Sequence, residues 1–541
     1  MPTSALDSSA QQSESAATAS ALDVERRRTF AIISHPDAGK TTLTEKLLLH
    51  AGAVIEAGSV RAHRRARSTV SDWMEIERRR GISISSTVLR FDWQGWLFNL
   101  VDAPGHADFS EDTYRALWAV DAALMVVDGT RGLERQTLKL FEVCRRRHLP
   151  IVTFINKCDR PGIEPLALLD EIEQRIGLPA APVTWPVGTD GQLDAIVDIN
   201  RGTVVEVDAT AHGATVGERR AAPVGEWQPP LGREAAWNAA REEIDLVEAG
   251  GHVPDVGASL HGQATPVFFG SALANHGIDL LIEGLTRFMP PPGPKPLVDR
   301  PGQPIDGPFS AQVFKIQANL DKRHRDRIAF LRVHTGTFER GMSVYNSRTG
   351  RRISLAHAHE MFGKERETID RASPGDVVGV VNASGVLLGD TLAEDPAVAY
   401  PPIPAFLPEH FAYLRNVDGK NYKRFQTGLQ QLDEEGVIRL LEPVSVDGER
   451  IIGVVGPLQL EVASERMATE FDCPIRVTPA PYEVARWIES EAIPLVPTRR
   501  GVLVARDGAG RHLVLFASRF AMERVAQEHP TLQLLAERPA G

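Results

Sequence analysis

Phe30-Ala31-Ile32-Ile33-Ser34-His35-Pro36-Asp37-Ala38-Gly39-Lys40-Thr41 is the stretch from which the fold follows. An apolar run enters a short polar loop and a helical pattern from Thr42 to His50 leaves it, so the stretch reads as strand, phosphate loop and helix. In that arrangement successive backbone N–H groups and a helix N-terminus face an anion. Lys40 reaches the outer phosphates, and the Thr41 hydroxyl is a ligand for Mg2+. The cradle comprises Ser34, His35, Pro36, Asp37, Ala38, Gly39, Lys40, Thr41 and Thr42. Ser34 stands where such loops usually begin with glycine, a position that asks for little side-chain volume.

Asp102-Ala103-Pro104-Gly105-His106 closes the predicted strand Leu97 to Val101. Ligands of open α/β sheets bind at the carboxyl ends of the strands, so this segment is expected beside the phosphate loop. Asp102 is expected to hold Mg2+ through water. The backbone of Ala103, Pro104 and Gly105 is expected to approach the terminal phosphate, which makes the segment responsive to that phosphate. His106 follows where hydrolysis needs a group that orients the attacking water, and it is the candidate catalytic residue. Arg80-Gly81-Ile82-Ser83 lies between the two motifs, with Ser83 as a further hydroxyl for the metal.

Asn156-Lys157-Cys158-Asp159 ends the run Ile151 to Ile155 and selects the base. A carboxylate at Asp159 accepts hydrogen bonds from a ring N–H and an exocyclic amine, a donor pair that guanine has and adenine lacks. The ligand read from these residues is GTP. Asn156 is expected to tie its loop to the phosphate loop and Lys157 to lie along the base. Gly270-Ser271-Ala272-Leu273 is expected to offer a backbone N–H to the guanine oxygen, with Ser271, Ala272 and Leu273 lining the base.

The 541 residues, 43% hydrophobic and 24% charged, suffice for about three domains with cores of their own. Cys144, Cys158 and Cys473 are scattered and lack metal-ligand spacing, which supports neither a disulfide framework nor a zinc site and fits a reducing cytoplasm. No stretch approaches the roughly 18 apolar residues of a membrane span. Residues 1–24, rich in Ser, Ala and Gln, read as a disordered leader rather than a signal or transit peptide. A net charge of -11 excludes a binder coated in positive charge. RNA contacts are expected only at the local clusters Arg61 to Arg67, Arg78 to Arg80, Arg145 to Arg147 and Lys322 to Arg327.

Short apolar strands alternate with helical segments through residues 25–295, the pattern of an α/β phosphate-loop domain with a mostly parallel sheet. Residues 183–261, with Trp185, Trp227 and Trp237, interrupt that alternation as an insertion. Proline-rich segments at Met289 to Pro296 and Tyr400 to Pro408 mark boundaries. Between them, residues 305–398 read as short strands with Gly turns, an antiparallel β-barrel. Residues 405–535 read as an α+β domain, with helices at Asn421 to Glu435 and Gln459 to Phe471 around strands Val437 to Leu441 and Ile451 to Val455.

Together these residues resemble the translational GTPases. Ser71-Asp72-Trp73-Met74-Glu75, Asp108-Phe109-Ser110-Glu111-Asp112-Thr113-Tyr114-Arg115, Gly456-Pro457-Leu458-Gln459 and Ala485-Arg486-Trp487-Ile488-Glu489 look like the bacterial peptide chain release factor 3 family, from about Arg26 onward. The resemblance implies a cytoplasmic, monomeric GTP hydrolase, stimulated by the ribosome through rRNA and ribosomal proteins. It implies that the protein promotes departure of class-I peptide chain release factors after peptide release, with GDP as product and Mg2+ as cofactor. The insertion looks longer than that family's, and the leader has no counterpart in it. The length leaves no room for the two further domains of elongation factor G, so translocation is not expected. The GTPase subunit of sulfate adenylyltransferase shares the nucleotide motifs and a following barrel, but the helix-strand pattern after Asn421 suits an α+β domain better than a second barrel. Other ribosome-binding translational GTPases, including a binding module with negligible turnover, are the remaining alternatives.

Overall fold

The computed structural model describes residues 23–54, 77, 83–189, 191–208, 215–318, 327–362, 365–381, 383, 385–417, 421–444 and 449–536. The leader through residue 22, the clusters Arg61 to Arg67 and Arg78 to Arg80, the Ser71 to Glu75 motif, Gly81, Ile82 and residues 322–326 lie outside the described residues.

The first unit runs through β1 (Arg27–Ser34), α1 (Lys40–His50), β2 (Thr87–Trp93), β3 (Trp96–Asp102), α2 (Ser110–Trp118), β4 (Ala122–Asp128), α3 (Arg135–Arg146), β5 (Ile151–Asn156), α4 (Pro165–Ile176) and β6 (Ala180–Pro182). It then continues through β7 (Thr184–Thr189), β8 (Gln192–Asp198), β9 (Thr203–Val207), β10 (Arg219–Pro223), α5 (Glu234–Ala249), α6 (Val256–Leu260), β11 (Thr265–Phe269) and α7 (Ile278–Phe288). Its seven-stranded sheet has the order β2-β3-β1-β4-β5-β11-β6, parallel except for the β2–β3 hairpin. Every residue of β1 is buried, as a strand covered on both faces requires. Alternate side chains point to opposite faces: Phe30 and Ile32 pack with Leu43 and Leu47 of α1 and Leu281 of α7, whereas Ala31 and Ile33 pack with Leu117, Leu140 and Leu168 of α2, α3 and α4.

The interruption after β6 is a four-stranded antiparallel sheet, order β10-β9-β8-β7, followed by α5 and α6. Its tryptophans pin α5 in place. Trp185 is fully buried and its Nε1–H donates to Glu243 at 3.0 Å, and the Trp227 and Trp237 rings meet nearly perpendicular at 4.9 Å. The chain then returns through β11, inserted between β5 and β6.

The second unit is antiparallel β, as expected. An eight-stranded sheet, from Ser310–Ala318 to Thr391–Ala393, and a two-stranded ribbon enclose a core that includes Phe309, Leu331, Val344 and Val378. The third is α+β, with a seven-stranded antiparallel sheet carrying α8 (Tyr422–Glu435), α9 (Leu458–Glu470) and α10 (Arg519–Glu528). α8 ends at Gly436, whose φ of 75° suits glycine and where any Cβ would overlap the Arg115 guanidinium.

Candidate functional site

The carboxyl ends of β1, β3, β4 and β5 converge, because register places Ile32 beside Asp102 and Asp128 beside Asn156. Between β1 and α1 the loop turns through Asp37 (φ 66°) and Gly39 (φ 94°), the latter capping α1. A Cβ at Gly39 would overlap the Asn156 amide, so glycine is required here by conformation and by space. Ser34 is buried, and its hydroxyl donates to the His35 carbonyl at 2.8 Å. His35 lies 3.4 Å from Glu134, while Thr41 and Thr42 are half-buried in the first turn of α1.

Asn156 joins three segments. Its Nδ2–H donates to the Ala38 carbonyl at 2.8 Å, and its Oδ1 accepts from the Ala272 N–H at 2.9 Å. Lys157 donates to the Asp37 carbonyl at 2.6 Å and pairs with Asp128 at 2.6 Å. Burial alone would raise the Asp128 carboxyl, but the bonds from Lys157 and Thr130 hold it below the usual carboxylate range. Asp128 is a member of the site that the sequence reading missed; an acidic residue ending the apolar run Ala122 to Val127 was the available signal.

Asp159 is half-buried beside this loop, and the Cys158 N–H donates to the Gly270 carbonyl at 3.1 Å. In the segment that follows β11, the Ser271 N–H is taken by the His276 carbonyl and the Ala274 N–H by the Ser271 hydroxyl. With the Ala272 N–H on Asn156, the donor that faces no protein acceptor among the described residues is that of Leu273, a half-exposed residue.

Lys40 extends across the loop to Asp102, with which it forms a close buried ion pair, and to Ser83 Oγ at 3.3 Å. Ser83 is in turn placed by Glu77, whose Oε1 accepts from the Ile84 and Ser85 N–H groups at 2.9 and 3.2 Å. Ala103 and Pro104 are buried, and Thr113 Oγ1 donates to the Pro104 carbonyl at 2.8 Å. A Cβ at Gly105 would come within 3.4 Å of the Ser34 carbonyl, so the two loops pack backbone to backbone. His106 follows at the rim, 37% exposed, with the Asp108 N–H donating to its Nδ1 at 3.2 Å.

Of the Arg145 to Arg147 cluster, two arginines stay exposed and share one carboxylate while the third does not. Arg145 and Arg146 pair with Glu142 at 3.0 and 2.8 Å, and Arg147 turns inward over the Trp118 ring at 4.3 Å.

Peptide chain release factor 3 of Synechococcus elongatus is 44% identical over 524 residues, covering 95% of this chain and 94% of that protein. The chain belongs to the peptide chain release factor 3 family. Members from Trichodesmium erythraeum, 43% identical over 94% of the chain and 95% of their own length, and Gloeobacter violaceus, 44% over 95% and 98%, agree. Residues 25–291 match the Elongation factor Tu GTP binding domain, 308–395 Elongation factor G domain 2, and 400–526 the C-terminal domain of Class II release factor RF3. A crystal structure of a Thermus thermophilus protein shares the fold at a TM-score of 0.68 and 24% identity, over 90% of this chain and 71% of that one. As a release factor 3 family member the chain is a GTP-binding GTPase of translation termination. Among the described residues no helix is long and apolar enough to cross a membrane.

Proposed function

We propose that this GTPase is stimulated by the ribosome and promotes departure of class-I release factors after peptide release, leaving the ribosome itself once GTP is hydrolysed. The termination role rests on the family, and the observation that supports its hydrolytic part is the meeting of Lys40, Asp102 and Ser83 between the phosphate loop and the loop that bears His106. A hydroxyl and a carboxylate gathered on one ammonium form an oxygen-rich, charged corner that suits a hard divalent cation. Mg2+ would be held by Thr41, Ser83 and, through water, Asp102, and when bound it neutralises charge on the outer phosphate oxygens. The protein's own residues do the rest. Lys40 leaves Asp102 for the outer phosphates, the N–H groups from Asp37 to Thr42 cradle them, and Ala103 to Gly105 respond to the terminal one. His106 orients the attacking water. Asp159 reads the guanine edge, Lys157 lies along the base, and the Leu273 N–H is the donor for the guanine oxygen beside Ser271 and Ala272. Ribosomal RNA and proteins, a monomeric state, a cytoplasmic setting and domain limits near residues 25–295, 305–398 and 405–535 complete the reading.

The test is GTP turnover with and without ribosomes, with dissociation of a labelled class-I factor followed in parallel. Stimulation that leaves dissociation unchanged would overturn the recycling role. His106→Ala is expected to keep GTP affinity and lose about 10²–10⁴-fold in stimulated kcat; unchanged turnover would remove His106 from catalysis. Asp159→Asn supplies a donor where the carboxylate only accepts, so it is expected to shift preference from GTP toward XTP. Unaltered discrimination between the two refutes the base-reading role.

A further inference from the structure

Gly456-Pro457-Leu458-Gln459 marks the family in the sequence, yet the nucleotide chemistry does not use it. In the fold it is the turn that enters α9, and it closes around the loop that bears His106. The Leu458 N–H donates to Asp108 Oδ2 at 2.7 Å. Gly456 leaves room for that carboxylate, since any Cβ there would overlap the Asp108 side chain. Gln459 fixes the shape of the turn: its Oε1 accepts from the Val455 and Gly456 N–H groups at 2.7 and 3.1 Å, and its Nε2–H donates to the Val437 carbonyl at 3.1 Å. Next to it, Phe109 packs with Ile84 and Val462, flanked by Val437 and Leu458.

The other oxygen of the same carboxylate, Asp108 Oδ1, lies 3.3 Å from His106 Nδ1, and the Asp108 N–H donates to that nitrogen at 3.2 Å. A neutral His106 accepting at Nδ1 carries its proton on Nε2, whereas a protonated ring presents Nδ1–H to the carboxylate. In either state Asp108 occupies the Nδ1 side and leaves Nε2 for water.

We infer that Asp108 is a positioning residue for hydrolysis, through which the turn Gly456 to Gln459 of the third domain holds the imidazole of His106. Docking of the third domain then completes the hydrolytic site, and movement of that domain releases it. This rests on the reading of His106 as the group that orients water. A catalytic group misplaced by roughly 1 Å costs about a hundredfold in rate, so loss of that support is expected to lower turnover.

The experiment measures ribosome-stimulated turnover of the full chain. Gly456→Ala touches neither His106 nor the nucleotide loops, but drives a methyl into the Asp108 carboxylate. It is expected to lower kcat about tenfold to a hundredfold with the KM for GTP unchanged, and Asp108→Ala is expected to do the same. If the two act through one contact, Gly456→Ala adds nothing in the Asp108→Ala background. Asp108→Asn keeps an oxygen for the Leu458 N–H and is expected to recover most of the turnover, whereas Asp108→Leu, which fills the space without an acceptor, is not; recovery by both would mean packing alone. Wild-type kcat in both single variants overturns the inference, as do losses that multiply in the double variant. His106→Ala separates the two failures. If it keeps stimulated turnover, the catalytic reading falls; if it loses turnover while Gly456→Ala and Asp108→Ala retain it, only the coupling falls.

Discussion

The GTPase domain meets the barrel over a spread of buried contacts and the third domain over one short segment beside a cleft. Against the barrel the contacts are buried and charged. Arg27 pairs with Asp376 at 2.9 Å, Asn99 Nδ2–H donates to the Gly375 carbonyl at 3.1 Å, and the Thr29 hydroxyl donates to that same carbonyl at 2.7 Å. Asp121 is held between Arg332 and Lys295, the latter at 2.9 Å; burial works to raise its carboxyl, but the two cations hold it below the usual range. Lys315, also buried, reaches the Ser85 hydroxyl at 2.7 Å. Toward the third domain there is instead a cleft of about 770 Å³, lined by Arg115, Arg439, Arg511, Asp433 and Asp507 among others. Direct bonds gather on a short segment of the GTPase domain: Leu458 N–H to Asp108, Arg115 to the Glu435 carbonyl at 3.2 Å, and Arg439 to Glu111 at 3.3 Å. The barrel contacts are thus spread along the GTPase domain, whereas those of the third domain gather beside the loop that bears His106, with an open cleft next to them.

That contrast is most exposed to test at Asp121. Arg332→Ala leaves a carboxylate inside the first interface with Lys295 as its remaining partner, and removal of one member of a buried pair costs about 3–5 kcal/mol. A thermal or denaturant melt is expected to show that loss and GTP affinity to follow it only as far as folding does. A change under about 1 kcal/mol would mean that water reaches Asp121, and that the two interfaces differ less than their contacts suggest.

What the sequence disclosed follows the same division. Buried parallel strands are continuous apolar runs that end in polar residues, so Ser34, Asp102 and Asn156 declared their places from local pattern alone. The helices α8 and α9 emerged within a residue of their expected limits. The four-stranded sheet after β6 did not, because β10 is largely exposed and its packing depends on distant tryptophans. Nor did the strands Val484–Ile488, Val502–Asp507 and His512–Phe516, which carried no assigned element. Arg147 looked like part of a basic surface, yet as the residue capping α3 it folds back over Trp118. The bond between Asp108 and Leu458 spans 350 positions, and no local period encodes it.

A smaller effect is expected at the second interface, at Asp433 on the third domain's wall of the cleft. Burial pushes its carboxyl up to about 6, against the Leu440 N–H, which donates to it at 2.8 Å, and the Arg439 charge, while Asp507 and Glu434 push the same way as burial. The folded protein therefore holds this proton more tightly than the unfolded chain, whose aspartate titrates near 3.8. Stability from this group is fully present below about pH 4 and is lost as pH rises toward 6, after which it is constant. The displacement corresponds to at most about 3 kcal/mol, and nearer 1–2 kcal/mol for a group bordering an open cleft. Asp433→Asn removes the titration, so the stability difference between variant and wild type is expected to grow in the variant's favour from pH 4 to 6 and then level. A flat difference for Asp433→Asn would mean that the cleft wall is solvated enough to behave as ordinary surface, leaving the third domain to the contacts around Asp108 and to the pair between Arg327 of the barrel and Glu434 at 2.8 Å.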